Sequence, residues 1–108
     1  MTLLWKRSQI HLIRAGKKTA TRRIRRPNLR TGGVYRLRLD FFHYLDEKIQ
    51  VERMYEQALG DLSEEDARRE GCLGVGEFRS LWGGIYGEWI AESRVWVVEF
   101  RLAGDRNI

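Results

Sequence analysis

Seven cationic side chains lie between residues 17 and 30, and no acidic residue separates them. These cations are Lys17, Lys18, Arg22, Arg23, Arg25, Arg26 and Arg30. Lysine and arginine bind phosphate oxygens, and the planar guanidinium of arginine does so through two parallel hydrogen bonds. We therefore expect this stretch, here called the basic segment (residues 17–30), to contact a polyanion, with nucleic acid as the first candidate.

The basic segment belongs to a chain whose charge is divided unevenly. The 108 residues have a formal net charge of +5, but residues 1–39 carry twelve Lys or Arg and no Asp or Glu. Residues 40–108 have a net charge of −7. This asymmetry indicates two different surfaces in one protein. A length of 108 residues with 43% hydrophobic residues fits a single domain over residues 1–108.

Cysteine and histidine are too scarce for several kinds of site. Cys72 is the only cysteine, so an intrachain disulfide is excluded, and a reducing, cytoplasmic location is expected. His11 and His43 are isolated and lie beside apolar residues, which predicts packing roles. Without paired cysteines or histidines, we predict neither a metal nor another cofactor. Because no apolar run approaches a membrane span, no membrane partner is expected. The oligomeric state is open, with a monomer favoured.

The periodicity of the first half predicts a helix followed by a hairpin. Residues 5–15 carry an apolar helical stripe that ends at Gly16. Apolar and charged residues alternate over residues 34–42, which predicts a half-buried strand. A second alternation over residues 48–59 predicts its partner, with a turn near Asp46 and Glu47 between them.

The second half predicts two helices and a final strand. Ser63 followed by three acidic residues is typical of a helix N-terminus, and Gly71 would end that helix. The spacing of apolar residues predicts a second helix over Val75–Tyr86, and Arg94–Leu102 reads as a strand. This order does not form alternating βαβ units. It predicts an α+β fold in which a small mixed sheet curls into a barrel with flanking helices.

Four motifs in this order resemble those of the ASCH (activating signal cointegrator homology) domain. Residues 16–23 resemble its G-x-K-x-x-x-x-R signature, and residues 60–71 are similar to its L-T-x-E-D-A-x-x-E-G helix. Residues 77–87 supply a matching Glu-Phe, Trp and Tyr-Gly, and residues 95–100 resemble its V-x-V-I-x-F strand. The resemblance implies a PUA-like fold, a small β-barrel with flanking helices, and a cleft that handles RNA or a modified nucleoside.

One branch of this family consists of small amidohydrolases that deacetylate N4-acetylcytidine. Its Lys-Thr-x-Thr-x-Arg run is similar to residues 18–23, and a distant glutamate matches Glu77. The resemblance implies that Lys18 accepts a proton, Thr21 is the nucleophile and Glu77 donates a proton. The chain departs from that branch at Arg22, where an apolar residue is usual, and after Arg23, where an acidic continuation is usual.

The sequence leaves binding and catalysis open. Lys18 can accept a proton only when neutral, and the cations around it in sequence would favour that form. The simpler alternatives are that Thr21 is present because threonine favours an extended strand and that Glu77 is an ordinary acid in the first turn of a helix. Trp82 and Tyr86 fit packing as well as stacking on a base. We therefore expect an RNA-binding or nucleoside-binding protein, with amidohydrolase as the first alternative and ribonuclease as the second.

Overall fold

The computed structural model describes residues 3–103 and contains one four-stranded sheet. Its strands are β1 (Ala20–Arg23), β2 (Val34–Arg38), β3 (Tyr44–Ala58) and β4 (Arg94–Leu102). They lie in the order β1-β4-β3-β2 and curl into a half-barrel. With three helices beside this sheet, the α+β fold is confirmed. In one detail the prediction was wrong, because all three strand pairs are antiparallel and the sheet is not mixed.

The connection between β3 and β4 explains why these two strands are antiparallel. Parallel neighbours need a connection that crosses to the opposite end of the sheet. Here the chain leaves β3 at Ala58 and returns to β4 at Arg94, and these two residues face each other in the sheet. The helical connection from β3 to β4 therefore begins and ends at the same end of the sheet, and β4 runs antiparallel to β3.

The helices are α1 (Arg7–Arg14), α2 (Glu64–Arg69) and α3 (Val75–Tyr86), and a 3₁₀ turn covers Leu59–Asp61. Ser63 caps α2, as the sequence predicts, and in the structure it forms a capping box with Asp66. The Asp66 N–H donates to Ser63 Oγ at 3.0 Å, and the Ser63 N–H donates to the Asp66 carboxylate at 2.9 Å. Gly71 follows with φ of +93°, a backbone conformation that favours glycine. This sharp ending fixes the positions of Glu70 and Cys72.

The hairpin between β2 and β3 turns earlier than predicted. The carboxylate of Asp40 accepts hydrogen bonds from the N–H groups of Phe42 and His43 at 2.8 and 2.9 Å. Such local bonds favour a turn over continued pairing. Strand β2 therefore ends at Arg38, and the predicted turn at residues 46–47 lies inside β3.

Two hydrophobic clusters fill the fold. The first joins α1 to the sheet, with Trp5, Ile13 and Phe100 among its buried members. The second lies under α2 and α3 and includes Phe78 and Trp82. No helix within residues 3–103 has the length and apolar character needed to cross a membrane.

The predicted packing roles of the two histidines were wrong, since His11 and His43 are both exposed. His11 follows the buried Ile10 and therefore falls on the outer side of α1. His43 lies in the hairpin turn, where Nδ1 is 2.8 Å from the Asp40 carboxylate.

Candidate functional site

A cleft opens between the N-terminal side of α1 and helix α3, with β1 at its floor. Its lining residues come from segments that are far apart in sequence, so only the tertiary fold creates it. They are Leu4, Lys6, Gln9, Lys18, Thr21, Arg22, Arg23, Glu70, Cys72, Phe78, Leu81, Trp82, Ile85 and Tyr86.

A buried ionic cluster forms the floor of this cleft. Lys18 Nζ lies 2.9 Å from Glu70 Oε1, and Arg22 Nη1 lies 2.9 Å from Glu70 Oε2. The exposed fractions of Lys18, Arg22 and Glu70 are 3%, 4% and 7%. One carboxylate is therefore shared by two cations out of contact with bulk water. The sequence predicted cationic surroundings for Lys18, but its ion-pair partner in the fold is an acid from 52 residues away.

Arg22 also connects three elements of the fold. Its Nε donates to Gln57 Oε1 on β3 at 3.0 Å, and its Nη2 lies 3.5 Å from Asp66 Oδ2 on α2. With Glu70 as a further partner, the guanidinium is held on several sides, and only 1% of the side chain is exposed. Its role as a phosphate contact stays a prediction, which this buried position does not favour.

Arg23 and Thr21 form the other polar part of the floor. Arg23 Nε donates to Thr21 Oγ1 at 3.0 Å, and Arg23 Nη2 donates to the carbonyl oxygen of Leu4 at 3.3 Å. The guanidinium stacks 5.0 Å from the ring centroid of Trp5. Burial lowers the pKa of Arg23, although a guanidinium remains charged at neutral pH. These contacts fix the Thr21 hydroxyl at the cleft floor.

The floor retains donors that a ligand can use. Lys18 Nζ donates two of its three N–H groups to Glu70, one to the carboxylate and one to the backbone oxygen at 3.1 Å. One ammonium N–H is left. Thr21 Oγ1 accepts from Arg23, so its own O–H is available as a donor. A ligand that presents acceptor atoms to the floor therefore finds at least two donors.

The opposite wall is apolar and comes from α3. Phe78 and Trp82 are buried in the core, whereas Leu81, Ile85 and Tyr86 keep exposed fractions of 55%, 54% and 41%. The rings of Trp82 and Tyr86 are 4.3 Å apart at their centroids. The helical stripe predicted from sequence thus divides into two buried anchors and an exposed apolar wall.

Cys72 is a buried thiol at the junction of floor and wall. Burial raises its pKa to about 11, and the negative charges of Glu77 and Glu70 act in the same direction. Cys72 is therefore a neutral thiol at physiological pH, which makes it a poor nucleophile.

The structure does not bring Glu77 together with Lys18 and Thr21. Glu77 is exposed in the first turn of α3, lies outside the cleft lining, and accepts a 2.7 Å hydrogen bond from the Leu73 N–H. The carboxylate that reaches Lys18 is Glu70, which sequence reasoning missed. A signal was present, because Glu70 is the glutamate of the E-G pair in the α2 motif.

The remaining cations of the basic segment lie on the surface. Lys17, Arg25, Arg26 and Arg30 are exposed, and none of them lines the cleft. Within residues 3–103, none forms an ion pair with an acidic side chain. Arg26 instead stacks over Trp96, with its guanidinium carbon 4.8 Å from the ring centroid. Across the same residues, no group of three or more His, Cys, Asp or Glu side chains is placed to hold a metal ion.

Comparison with known proteins identifies the fold. No protein-family model and no curated protein sequence matches the chain. Among solved structures, an ASCH domain from Lactobacillus crispatus JV V101 superposes with a TM-score of 0.75 at 12% identity, covering 88% of this chain and 70% of that one. The hypothetical protein PH0355 gives a TM-score of 0.65 at 18% identity, covering 92% of this chain and 94% of that one.

A third structure, protein EF3133 from Enterococcus faecalis V583, gives a TM-score of 0.58 at 16% identity, covering 91% of this chain and 73% of that one. The chain therefore has the fold of an ASCH domain, as the motifs implied. The similarity to the amidohydrolase branch stays a prediction.

Proposed function

We propose that the cleft binds a nucleoside unit of RNA. One observation carries this proposal: a polar floor made of the buried Lys18 and Thr21 and the half-buried Arg23 faces an exposed apolar wall from α3. Pockets that bind small molecules typically combine apolar walls with a few well-placed polar groups. The ASCH fold of the chain is consistent with a ligand from RNA metabolism.

A nucleobase has the chemistry that such a cleft accommodates. Its two ring faces are apolar and polarisable, and its edge carries carbonyl oxygens and ring nitrogens that accept hydrogen bonds. The ring faces suit Leu81, Ile85 and Tyr86, while the edge suits the spare donors of Lys18 and Thr21. Tyr86 adds an aromatic surface for stacking.

The exposed cations of the basic segment supply the contacts to the backbone of an RNA. Lys17, Arg25 and Arg30 are accessible, and each phosphate they neutralise contributes about −0.7 to the log–log salt slope for a single strand. Binding of a six-nucleotide oligocytidylate is therefore expected to weaken steeply between 50 and 200 mM KCl. A flat salt response would contradict contact between this segment and phosphate.

A matched pair of isoleucines tests the cleft itself. Ile85 lies on the cleft wall, whereas Ile90 is similarly exposed but lies outside the lining. We expect Ile85→Ala to weaken cytidine binding about five- to tenfold, since it removes apolar contact area, and Ile90→Ala to leave it unchanged. Titration followed by tryptophan fluorescence measures both. Equal effects of the two variants, or no binding of cytidine, would exclude the cleft as the site.

Amide hydrolysis is the second candidate, supported by the joint placement of Thr21, Lys18 and a carboxylate on one floor. With N4-acetylcytidine, Thr21 Oγ would attack the acetyl carbon while Lys18, after passing a proton to the paired Glu70 carboxylate, takes the hydroxyl proton. The bond from carbon to the exocyclic nitrogen would break, and the amine would leave with that proton. Water would then hydrolyse the acetyl-threonine ester, releasing acetate and restoring the hydroxyl.

Two glutamate variants separate the possible roles in this reaction. If Glu70 accepts the Lys18 proton, Glu70→Gln should reduce the release of cytidine from N4-acetylcytidine by at least about a hundredfold, whereas Glu77→Gln should change it less than about twofold. The opposite pattern would support the proton-donor role that the family resemblance implies for Glu77. Thr21→Val tests the nucleophile, and full activity in that variant would exclude it.

A further inference from the structure

Beside the cleft, Arg26 stacks on Trp96, and neither residue lines the floor or the wall. Arg23 on β1 and Trp96 on β4 face each other across the strand pair. Directly opposed residues of antiparallel strands project to the same side, with Cβ atoms about 5 Å apart. Arg23 lines the cleft, so the half-buried Trp96 lies next to the β1 side of the cleft.

Arg26 covers this tryptophan from the loop after β1. Its guanidinium carbon lies 4.8 Å from the Trp96 ring centroid, and the side chain is exposed. Within residues 3–103, the guanidinium donates no hydrogen bond and forms no ion pair. Arg23 makes a similar stack on Trp5, but Trp5 is buried and two of the Arg23 N–H groups donate to Thr21 and Leu4. Of the two stacks, the one at Arg26 therefore keeps an accessible face and uncommitted donors.

The acid beside this stack argues for a base and against a bare phosphate. Glu56 on β3 faces Trp96 across the other strand pair and is exposed. Its carboxylate repels a phosphate placed over the ring but accepts hydrogen bonds from the amino group of a base. A flat guanidinium held over an indole ring is a surface on which a base can stack.

We infer that Arg26 and Trp96 form a second nucleobase subsite, so that the ligand is a single RNA strand of at least two nucleotides. This inference rests on the proposed function of the cleft, which would hold the neighbouring nucleoside. Stacking of one base contributes enough free energy to tighten binding by about 5- to 100-fold.

Length dependence tests the subsite separately from the cleft. Cytidine, the dinucleotide cytidylyl-cytidine and six-nucleotide oligocytidylate serve as probes for the unmodified protein, Arg26→Gln and Arg26→Lys. We expect the dinucleotide to bind the unmodified protein at least about fivefold more tightly than cytidine. Both variants should lose most of that gain while their affinity for cytidine stays the same.

Arg26→Lys is the decisive variant, because it keeps the positive charge and removes the planar stacking group. Arg79→Gln is the matched control, since Arg79 stacks on Trp89 at 5.0 Å and neither residue lines the cleft. The subsite is overturned if Arg26→Lys binds the dinucleotide like the unmodified protein, if the dinucleotide gains nothing over cytidine, or if Arg79→Gln has the same effect. Failure of cytidine to bind would instead overturn the proposed function of the cleft.

Discussion

The basic segment divides into a buried half, which contains Lys18 and Arg22, and an exposed half, which contains Arg25 and Arg30. Both halves are cationic, but only the first is shielded from water. Lys18 and Arg22 are buried and share the carboxylate of Glu70, whereas Arg25 and Arg30 are exposed and have no acidic partner within residues 3–103. The buried cations therefore connect elements of the fold and form the cleft floor, while the exposed ones are accessible to an anionic ligand. Consecutive positive charges in a sequence do not necessarily form one surface, because the buried cations stabilise the fold whereas the exposed ones are accessible to a ligand.

The largest expected effect comes from removing the acid that the buried half depends on. Glu70→Ala leaves two buried cations without their shared carboxylate, so we expect a loss of about 3–5 kcal/mol in the free energy of unfolding. Urea denaturation measures this loss. Glu65→Ala is the control on the same helix, since its pair with Arg69 is exposed and should contribute under about 1 kcal/mol. Similar losses in both variants would show that the buried pairs of Glu70 stabilise the fold no more than an exposed pair does.

The raised pKa of Cys72 tests how well the floor is shielded from water. With a pKa of about 11 in place of 9.0, the thiolate fraction at pH 8 falls about a hundredfold, and alkylation by iodoacetamide should slow accordingly. Alkylation at the rate of the urea-unfolded chain would show that the floor is open.

The same shift predicts a pH dependence of stability. The folded-state pKa of Cys72 lies above the unfolded value, so its contribution is fully present below pH 9 and is lost as the pH rises toward 11. In urea denaturation at pH 8 and 10.5, Cys72→Ala should therefore show a smaller decrease in stability than the unmodified protein. An equal decrease in the two proteins would contradict the shift.

A smaller effect is expected from the exposed half. Replacing Arg25 and Arg30 together by glutamine should reduce the salt slope for oligocytidylate binding by about 1.4, at about 0.7 per phosphate contact. Folding should be unaffected, because both side chains are exposed. Arg68→Gln, an exposed arginine outside the basic segment, is the control. An unchanged slope in the double variant would assign phosphate binding to other residues.

The smallest effect concerns the cap that positions Glu70. Ser63→Ala removes the side-chain acceptor of the α2 capping box and should cost about 1 kcal/mol in stability. Ser80→Ala, at an exposed position within α3, should change stability by less than about 0.5 kcal/mol. Equal stability of the two variants in thermal unfolding would show that the cap does not stabilise α2.

Local patterns predicted the second half of the chain well. The helix over Val75–Tyr86 and the strand over Arg94–Leu102 have the predicted bounds, because apolar periodicity and β-branched residues act over a few neighbouring residues. The hairpin turn was misplaced because Asp40 forms side-chain bonds to the backbone that an alternating pattern does not reveal.

The site was predictable only in part, for a different reason. Lys18 and Thr21 were found through a local motif, and both line the cleft. The matching acid was assigned to Glu77, although Glu70 makes the contact. Both glutamates lie near the start or end of a helix, and nothing within a few residues of either one specifies its distance from Lys18.

The sequence by itself determined the helices, the final strand, the helix cap at Ser63 and the concentration of positive charge before residue 40. These depend on spacing, caps and composition, which act over short distances along the chain. Only the tertiary structure decided which acid meets Lys18, that Arg22 is buried, and that Arg26 stacks on Trp96. Each of these contacts joins residues dozens of positions apart, so it exists only after strand order and helix packing have brought them together.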